Sequence, residues 1–466
     1  MSLAGAGPDY TMRRAADDFV AVCGSLEEAQ AVAATVYAYS CKWRFQLNSA
    51  KSAIMHVASG NTASHLVKSG IVWNGVPVPA VREYCYLGLW FNNKCTWDTH
   101  CERTLQKAQR VMAKFMPIWK SRDIGVAVKR IVLLSCIRPV IEFGAEVWYA
   151  PSKSYDDKID KVQLDIIKCS MRCSKEHPCS EGLLAEWGVK PLHMWMHQRM
   201  MEFHFRVQRM PMSRLPKQVF SAEWQRPGGA LLLTGWQKKV QSLLCKYGVN
   251  VDVAADRASA CKAHIRKQIA ALHADCVVRA ASSKATLERY TTHVHPNHVA
   301  SMRFKAARPY LRSGVPTRGI ELMLRIRLSC LCVHARTRKY GGNRANGTAP
   351  CPACGAANET LEHLVLHCPA TSSLRNSMFD EIRSLPGCAE KLRSILSESD
   401  SSAQVLHCVS DGVWGRAGVG MLASRLIADF VLQAWDHRNA CKHTGAVLPP
   451  PTAPEGRGAD GVVAMA

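Results

Sequence analysis

The feature that most constrains the fold is a short run of possible metal ligands near the C-terminal end of the chain. The run consists of Cys351, Cys354, His363, His367 and Cys368. Two thiolates separated by two residues can bind one metal ion across a tight turn, and a later pair of ligands then completes a tetrahedron. Pro352 and Gly355 suit such a turn. The spacing therefore predicts a small structural zinc site that is closed by four protein ligands and is not catalytic.

The fourth ligand is open on spacing alone. If Thr360 begins a helix, His363 and His367 lie four residues apart on one face, which favours His367. A helix that ends just before Pro369 instead lets Cys368 turn inward, and a thiolate is the better zinc ligand.

The net charge predicts a polyanionic partner. The 466 residues include 60 Lys and Arg against 37 Asp and Glu, a formal charge of +23 that is spread from Lys42 to Lys442. Basic side chains that neutralise phosphates release condensed counterions, so nucleic acid is the favoured partner. With 47% hydrophobic residues, the composition is otherwise that of a globular protein.

Cysteine usage and hydropathy favour the nucleus or the cytoplasm. The 20 cysteines are scattered, and some, such as Cys136 and Cys330, lie in apolar helical patterns where a free thiol packs as a small core residue. The N-terminal segment has no apolar stretch typical of a signal peptide. The longest apolar candidate, 131–150, is interrupted by Arg138 and Glu142, so no membrane span is expected.

Hydrophobic periodicity predicts an α+β fold, with a small mixed segment followed by mostly helical structure. Strands are expected at 19–23 and 52–57, and Ser25 with Glu28 predicts a capped helix that ends near Cys41. Later helices are expected at 100–120, 125–138, 157–175, 193–209, 257–282, 317–336, 371–384 and 419–438.

Two adjacent carboxylates, Asp17 and Asp18, precede the first predicted strand. Hard oxygen ligands are what Mg²⁺ requires, and nucleotidyl transfer uses two such ions to activate a hydroxyl and to neutralise the leaving pyrophosphate. An acidic pair alone is more often a solvated turn. The elements that follow in order are the capped helix, Trp43, Asn48-Ser-Ala-Lys51-Ser52, a strand and Tyr84-Cys-Tyr86-Leu87-Gly88.

This order of elements resembles the non-LTR (LINE-type) retrotransposon reverse transcriptases, which are RNA-directed DNA polymerases. The resemblance implies that Asp17 and Asp18 bind Mg²⁺ in a polymerase palm, and that Lys51 lies near the phosphates of the incoming nucleotide. The implied primer grip consists of Tyr86, Leu87 and Gly88. An RNA template and a DNA primer or target are the implied partners, and the oligomeric state stays open.

Two departures narrow what the resemblance implies. The family has an aromatic residue where this chain has Ala15, and residues 8–14 are too polar for the buried strand expected there. The family's remaining catalytic carboxylate lies upstream, and only fifteen residues precede Ala16. We therefore expect a reverse transcriptase fragment that does not polymerise DNA unaided. The alternative is a non-catalytic nucleic-acid-binding remnant or a domesticated zinc-containing protein.

The resemblance continues into basic helices that correspond to a thumb. The phosphate contacts it implies are Lys107, Arg110, Lys114, Lys120, Arg122, Lys129 and Arg130. A second basic group flanks an apolar stripe before the cysteine run and is expected either to bind a nucleic-acid backbone or to pack on the thumb. This group consists of Arg325, Arg327, Arg336 and Arg338. The turn at 186–192 also resembles the family, and we assign it to packing.

The zinc segment resembles the finger of the same family, which reads Cys-x-x-Cys, Glu-Thr, His and Cys-Pro and belongs to a segment implicated in nucleic-acid handling. The matching residues favour Cys351, Cys354, His363 and Cys368 as the ligands. Residues 433–439 resemble a helix that follows the finger. The predicted segments are a half palm at 1–95, thumb-like helices at 96–150, a basic helical region at 151–345, a zinc knuckle at 346–375, C-terminal helices at 376–444 and a disordered tail at 445–466.

Overall fold

The computed structural model describes most of the chain. The described residues are 11–15, 18–57, 70–73, 75–149, 152–221, 224–225, 231–232, 235–250, 257–284, 287–294, 307–312, 318–334, 336, 350–414 and 418–451. The chain forms two compact units, Met1–Gln106 and Lys107–Ala466, which we call unit 1 and unit 2. Helix α2 (Asp98–Lys114) crosses the boundary between them. The sequence had placed the end of the first segment somewhat earlier, at residue 95.

Unit 1 combines short antiparallel hairpins with one long helix. Its elements are β1 (Thr11–Ala15), β2 (Asp18–Val22), α1 (Leu26–Trp43), a 3₁₀ turn (Ser49–Lys51), β3 (Val72–Trp73), β4 (Val76–Pro77), β5 (Glu83–Tyr86) and β6 (Leu89–Asn92). The pairs β1–β2, β3–β4 and β5–β6 are each a two-stranded sheet within the described part of unit 1. Short strands mixed with a helix were predicted for this segment, and that coarse prediction is confirmed.

Helix α1 begins and ends through local hydrogen bonds. The Ser25 hydroxyl accepts from the backbone N–H of Glu28 at 3.2 Å, while the Glu28 carboxylate accepts from the N–H of Gly24 at 2.6 Å. The first bond satisfies an amide of the first helical turn that has no partner within the helix, and the second satisfies an amide just before the helix. The helix ends where Arg44 adopts a left-handed conformation, φ +56°. The capped start predicted at Ser25 is thus confirmed.

The first hairpin forms although the preceding residues are polar. Strand β1 pairs with β2 in a register that runs from Thr11 opposite Val22 to Ala15 opposite Asp18. We had expected residues 8–14 to be too polar for a buried strand in this place. The hairpin does not need burial, because its backbone hydrogen bonds form at the surface, where Val22 on β2 is 72% exposed.

Unit 2 is helical in nearly all of its described length. Its first elements are α3 (Met116–Lys120), α4 (Val126–Val132), a π-helical turn (Leu133–Ile137), α5 (Arg138–Glu142), α6 (Ala145–Trp148), α7 (Lys153–Ser170), α8 (Ser180–Trp187), α9 (Leu192–Gln208) and α10 (Leu215–Ser221). A small hairpin, β7 (Trp224–Gln225) with β8 (Leu231–Leu232), is followed by α11 (Gly235–Tyr247), α12 (Ala258–Ser283), a π-helical turn (Tyr290–Val294), α13 (Pro309–Arg312) and α14 (Arg318–Arg327). The last are a π-helical turn (His363–His367), a 3₁₀ turn (Pro369–Thr371), α15 (Ser372–Ser384), α16 (Ala389–Leu396), α17 (Ser401–Cys408), α18 (Asp411–Trp414) and α19 (Val419–Thr444).

Helix α9 lies at the centre of the first half of unit 2. It packs against α6, α7, α10, α11 and α12. The largest side chains of the surrounding core, Trp119, Trp148 and Trp187, are completely buried. Burying an aromatic side chain of this size contributes several kcal/mol, of the order of 3, so these residues supply much of the driving force for folding.

A buried carboxylate joins the core to later helices. Glu186 on α8 accepts hydrogen bonds from the hydroxyls of Tyr290 and Tyr310 at 2.6 and 2.8 Å. The guanidinium of Arg327 on α14 donates to the same carboxylate from two nitrogens at 3.2 Å. Both charged side chains are fully buried, so the turn at 186–192 serves packing, as expected from the sequence.

Helix α14 ends earlier than the predicted 317–336. The chain turns at Ser329, which has a φ of +47°. The N–H of Ser329 donates to the carbonyl of Ile326, and the N–H of Cys330 donates to that of Arg325 at 2.7 Å. This pattern is a Schellman stop, which glycine usually forms. A serine in that position gives no sequence signal, so the predicted length was wrong.

The start of the predicted disordered tail is ordered. Leu448 packs against the buried cluster of Cys351, Ala353, Cys368 and Cys441, and its N–H points to the sulfur of Cys441 at 3.5 Å. The carbonyl of Pro451 accepts from the Ser373 hydroxyl at 3.1 Å. The boundary at 445 was therefore placed too early, and residues 452–466 lie outside the described residues. Of the helices that the structure describes, none has the length and apolar character needed to cross a membrane.

Candidate functional site

The first two ligands of the predicted zinc site lie on a tight turn. The carbonyl of Cys351 accepts from the N–H of Gly355 at 2.8 Å, and the N–H of Cys351 donates to the carbonyl of Ala356 at 2.8 Å. Gly355 adopts φ +73°, which glycine tolerates without strain. This turn places Cys351 and Cys354 on the same side of the backbone, as the spacing predicted.

The second pair of ligands comes from a widened helical turn. The Thr360 hydroxyl accepts from the N–H of His363 at 3.1 Å, and the N–H of Cys368 donates to the carbonyl of His363 at 2.6 Å. A bond across five residues is that of a π-helix, and the chain leaves this turn at Cys368 with an extended backbone, φ −64° and ψ 118°. The Cys368 sulfur lies beside the His363 ring, whereas His367 is exposed and lies 3.2 Å from the Ser401 hydroxyl. The open choice is thereby decided for Cys368.

The four ligand atoms form a compact donor set. Those of Cys351, Cys354, His363 and Cys368 lie within 4.8 Å of one another, and Cys351 and Cys368 are buried. Tetrahedral zinc with sulfur at about 2.3 Å places its ligands roughly 3.8 Å apart, close to this arrangement. Three sulfurs and one imidazole are soft donors of the kind that zinc prefers. The residues present therefore fit a structural zinc ion.

The sulfurs of the set interact with each other. The hydrogen bond from the Cys368 thiol lowers the pKa of Cys351 to about 5, and the same hydrogen bond raises the pKa of Cys368. Zinc binds thiolates, so metal binding by this set would release protons from the thiols.

A buried ion pair connects the segment that carries the four candidate ligands, residues 351–368, to the last helix. The guanidinium of Arg438 on α19 donates to both oxygens of Glu359, with distances of 2.6 and 2.7 Å. The carboxylate also accepts from the N–H of His334 at 2.8 Å. Arg375 on α15 donates to the carbonyl of Cys368 at 3.1 Å. The sequence had singled out the segments around Glu359 and Arg438 separately, and only their spacing in three dimensions shows that they form one support.

Tyr84 of unit 1 contacts one of the segments that the sequence singled out and is influenced by another. The hydroxyl of Tyr84 on β5 donates to the backbone carbonyl of Lys51. Burial raises the pKa of Tyr84, and the nearby charge of Asp18 raises it further. The side chains of Asp18 and Lys51 are exposed. Asp17 lies outside the described residues.

The predicted primer-grip residues form a tight hairpin turn. Tyr86 pairs with Leu89 across the turn between β5 and β6. Leu87 and Gly88 both have positive φ, +48° and +82°, as a two-residue type I′ turn requires. Leu87 is 50% exposed at the tip. A leucine with positive φ is strained, because its Cβ approaches the following carbonyl.

The predicted phosphate contacts divide into exposed and buried residues. Lys107, Arg110 and Lys114 are exposed along α2, and Lys120 is exposed at the end of α3. Lys129, in contrast, is 1% exposed, and its ammonium donates to the carbonyls of Trp119, Ser121 and Ser170. The prediction for Lys129 is wrong, because its ammonium is buried and its hydrogens are bonded to carbonyls at the ends of α3 and α7. Arg130 is half-buried and donates to the carbonyls of Trp187 and Gly188, and the Arg122 guanidinium pairs with Glu321.

The second basic group is also mostly internal. Arg327 is fully buried against Glu186, and Arg325 is 8% exposed and pairs with Glu176 at 3.2 Å. Both side chains have little surface for a phosphate, so this prediction is corrected for Arg325 and Arg327, whose partners Glu176 and Glu186 lie outside the thumb-like segment at 96–150. Arg336 is half-buried and donates to the carbonyl of Ser329. Arg338 lies outside the described residues.

Comparison with known proteins identifies no relative. Neither a protein-family model, nor a curated protein, nor a solved structure matches this chain.

Proposed function

We propose that the chain is the C-terminal part of a non-LTR retrotransposon reverse transcriptase, an RNA-directed DNA polymerase, and that it binds an RNA template and DNA. Tyr84 carries the proposal. Tyr84 lies on the hairpin of β5 and β6, and its hydroxyl donates to the backbone carbonyl of Lys51, where the Asn-x-x-Lys turn ends. The charge of Asp18 is near enough to raise the pKa of this tyrosine. A polymerase site built from these motifs requires that they lie near one another.

The proposed Mg²⁺ site includes Asp17, which lies outside the described residues. Asp18 belongs to no group of three or more candidate ligands in the part of the chain that the structure describes. Two-metal catalysis needs several carboxylates. The set of Cys351, Cys354, His363 and Cys368 supports a second candidate function, that of a non-catalytic nucleic-acid-binding remnant or domesticated protein stabilised by zinc, because a closed set of four protein ligands is structural and not catalytic.

Primer extension distinguishes the two candidates. The purified chain is mixed with an RNA template, an annealed DNA primer, deoxynucleotides and Mg²⁺. Synthesis that the Asp18→Asn variant loses would support the polymerase and would contradict the expectation that the chain is inactive alone. Binding of the template–primer without synthesis would support the second candidate, and absence of binding at about 50 mM salt would contradict both.

Metal analysis tests the zinc module on its own. We expect the purified protein to contain about one zinc ion per chain, because the four ligands close a complete coordination shell. His363→Ala should lose most of this zinc. The matched control is His367→Ala, which should retain it, because His367 lies beside Ser401 and not among the sulfurs. Equal zinc loss in both variants would contradict the assignment of the fourth ligand to Cys368.

A further inference from the structure

Helices α11 and α12 carry a dense set of exposed basic residues that the sequence predictions did not include. Their apolar side faces the core: on α11 Val240, Leu243 and Tyr247 are buried, and on α12 Ile265 and Ile269 are buried. The exposed basic residues of the two helices are Lys238, Lys239, Lys246, Lys262, Arg266, Lys267 and Arg279. The two helices pack against each other and both pack on α9, so these side chains belong to one part of the surface.

Acidic residues hardly offset this charge. Helix α11 has no acidic residue, and α12 has Asp275 alone. Among the described residues, Arg266 pairs with Glu202, while Lys239, Lys262 and Lys267 make no ion pair. An ordinary solvated helix has balanced charges, as on α7 of the same unit, where Lys161 pairs with Asp165. The α11–α12 surface has the uncompensated charge that attracts a polyanion.

The aromatic residues of these helices indicate which form of nucleic acid fits. Proteins that bind single strands stack bases on exposed aromatic side chains. Tyr247 is buried, and Trp236 is half-buried and donates from its indole nitrogen to the carbonyl of Glu146 at 2.8 Å. No exposed aromatic ring is therefore present on α11 or α12. Cations without stacking partners suit the backbone of a duplex, whose bases are already stacked.

We propose that the exposed lysines of α11 and α12 bind the phosphate backbone of double-stranded nucleic acid, without sequence preference. The proposal rests on the nucleic-acid-binding function proposed above and names the surface that performs it. It replaces the buried Arg325 and Arg327 as the source of the contacts that unit 2 makes before the zinc module.

The test compares two variants that remove the same charge. One variant changes four lysines of α11 and α12 to glutamine: Lys239→Gln, Lys246→Gln, Lys262→Gln and Lys267→Gln. The control variant changes four lysines of α7: Lys153→Gln, Lys158→Gln, Lys161→Gln and Lys168→Gln. Binding to a mixed-sequence DNA duplex of about 20 base pairs, and to one of its single strands, is measured by fluorescence anisotropy over a range of salt concentrations.

We expect the α11–α12 variant to bind the duplex at least about tenfold more weakly, with a salt slope reduced by roughly 3 to 4, because each phosphate contact contributes about 0.9. The control should bind as the wild type does. Unchanged duplex binding by the α11–α12 variant, an equal loss in the control, or stronger binding of the single strand by the wild type would each overturn the proposal. Failure of the wild-type chain to bind any nucleic acid would instead overturn the proposed function.

Acetylation of the wild-type protein tests the same surface without relying on a variant. The chain is treated with an acetylating reagent with and without duplex, and the modified lysines are identified by mass spectrometry. Duplex should protect Lys262 and Lys267 and leave Lys158 reactive. Equal reactivity of all three lysines with and without bound duplex would overturn the proposal.

Discussion

Unit 1 and unit 2 are stabilised in different ways. Among the described residues of unit 1, one core cluster is small, consisting of Ala33, Ile71 and Val78, and large apolar side chains such as Trp43 stay 61% exposed. Unit 2 instead buries several tryptophans completely and connects its helices through buried ion pairs. Apolar burial supplies most of the free energy of folding, so unit 2 should be much the more stable of the two.

The same difference in burial decides whether a charged residue can contact a ligand. In unit 1 Asp18 and Lys51 are exposed, where they can meet a ligand. In unit 2 several of the arginines and lysines chosen as phosphate contacts, Lys129 and Arg327 among them, are buried and hydrogen-bonded to protein groups. A basic residue in a sequence is therefore informative about binding only when the fold leaves it at the surface.

The largest expected effect concerns the buried pair of unit 2. Glu186→Ala leaves Arg327 buried without its carboxylate, which should lower the free energy of unfolding by about 3 to 5 kcal/mol. The control in unit 1 is Glu83→Ala, which removes a partly exposed pair with Arg103 and should cost less than about 1 kcal/mol. Hydrogen exchange of the helices around each site, followed by mass spectrometry, measures both changes. Similar losses in the two variants would contradict the contrast between the units.

Acid should weaken unit 2 through its buried histidines. Burial lowers the pKa of His204 to about 4, against an ordinary value near 6.5. The folded protein thus keeps the imidazole neutral, while the unfolded chain binds a proton below about pH 6.5. The contribution of His204 to the free energy of unfolding is fully present above that pH. It falls as the pH decreases towards 4, because the unfolded state then binds more protons than the folded state.

His204→Phe should remove this contribution and lower the pH dependence of the unfolding free energy, by about 2 kcal/mol at pH 5 relative to pH 7. The ring lies among Phe205, Phe220 and Trp236, so an apolar replacement suits the site. Urea denaturation at several pH values measures the change. His443→Phe, at an exposed position, is the control and should follow the wild type. An unchanged pH dependence for His204→Phe would show that this histidine does not link folding to protons.

The smallest expected effect is an increase in the stability of a hairpin in unit 1. Leu87→Asn should stabilise the hairpin of β5 and β6 by roughly 1 kcal/mol, because asparagine adopts positive φ at lower cost than leucine. Gly88→Ala should destabilise the same turn. Hydrogen exchange of β5 and β6 compares the two variants. If Leu87→Asn also weakens primer binding, the strained leucine serves the predicted primer grip. Its contact with the primer would then accompany a lower stability of the hairpin.

Residue spacing was sufficient to predict those features that a single turn of the backbone forms. The capped start of α1 at Ser25 and the knuckle of Cys351 and Cys354 depend on hydrogen bonds between residues at most five positions apart. The same holds for the type of element over most helices, because the apolar period reports which side packs. The end of α14 at Ser329 was not predictable, because the residue that forms the stop is unusual there.

The sequence by itself therefore determined the helical character of most of the chain, the net positive charge and three of the four residues of the candidate metal site. The tertiary structure decided the rest. The local fold after the π-helical turn brings Cys368, and not His367, to the other candidate ligands. Arg327 is buried and cannot belong to a binding surface, whereas the lysines of α11 and α12 remain exposed because the apolar sides of these helices pack on α9. The physical reason is the same in each case. Charge and ligand type are local properties of a residue, whereas access to solvent or to a partner depends on side chains that are distant in sequence.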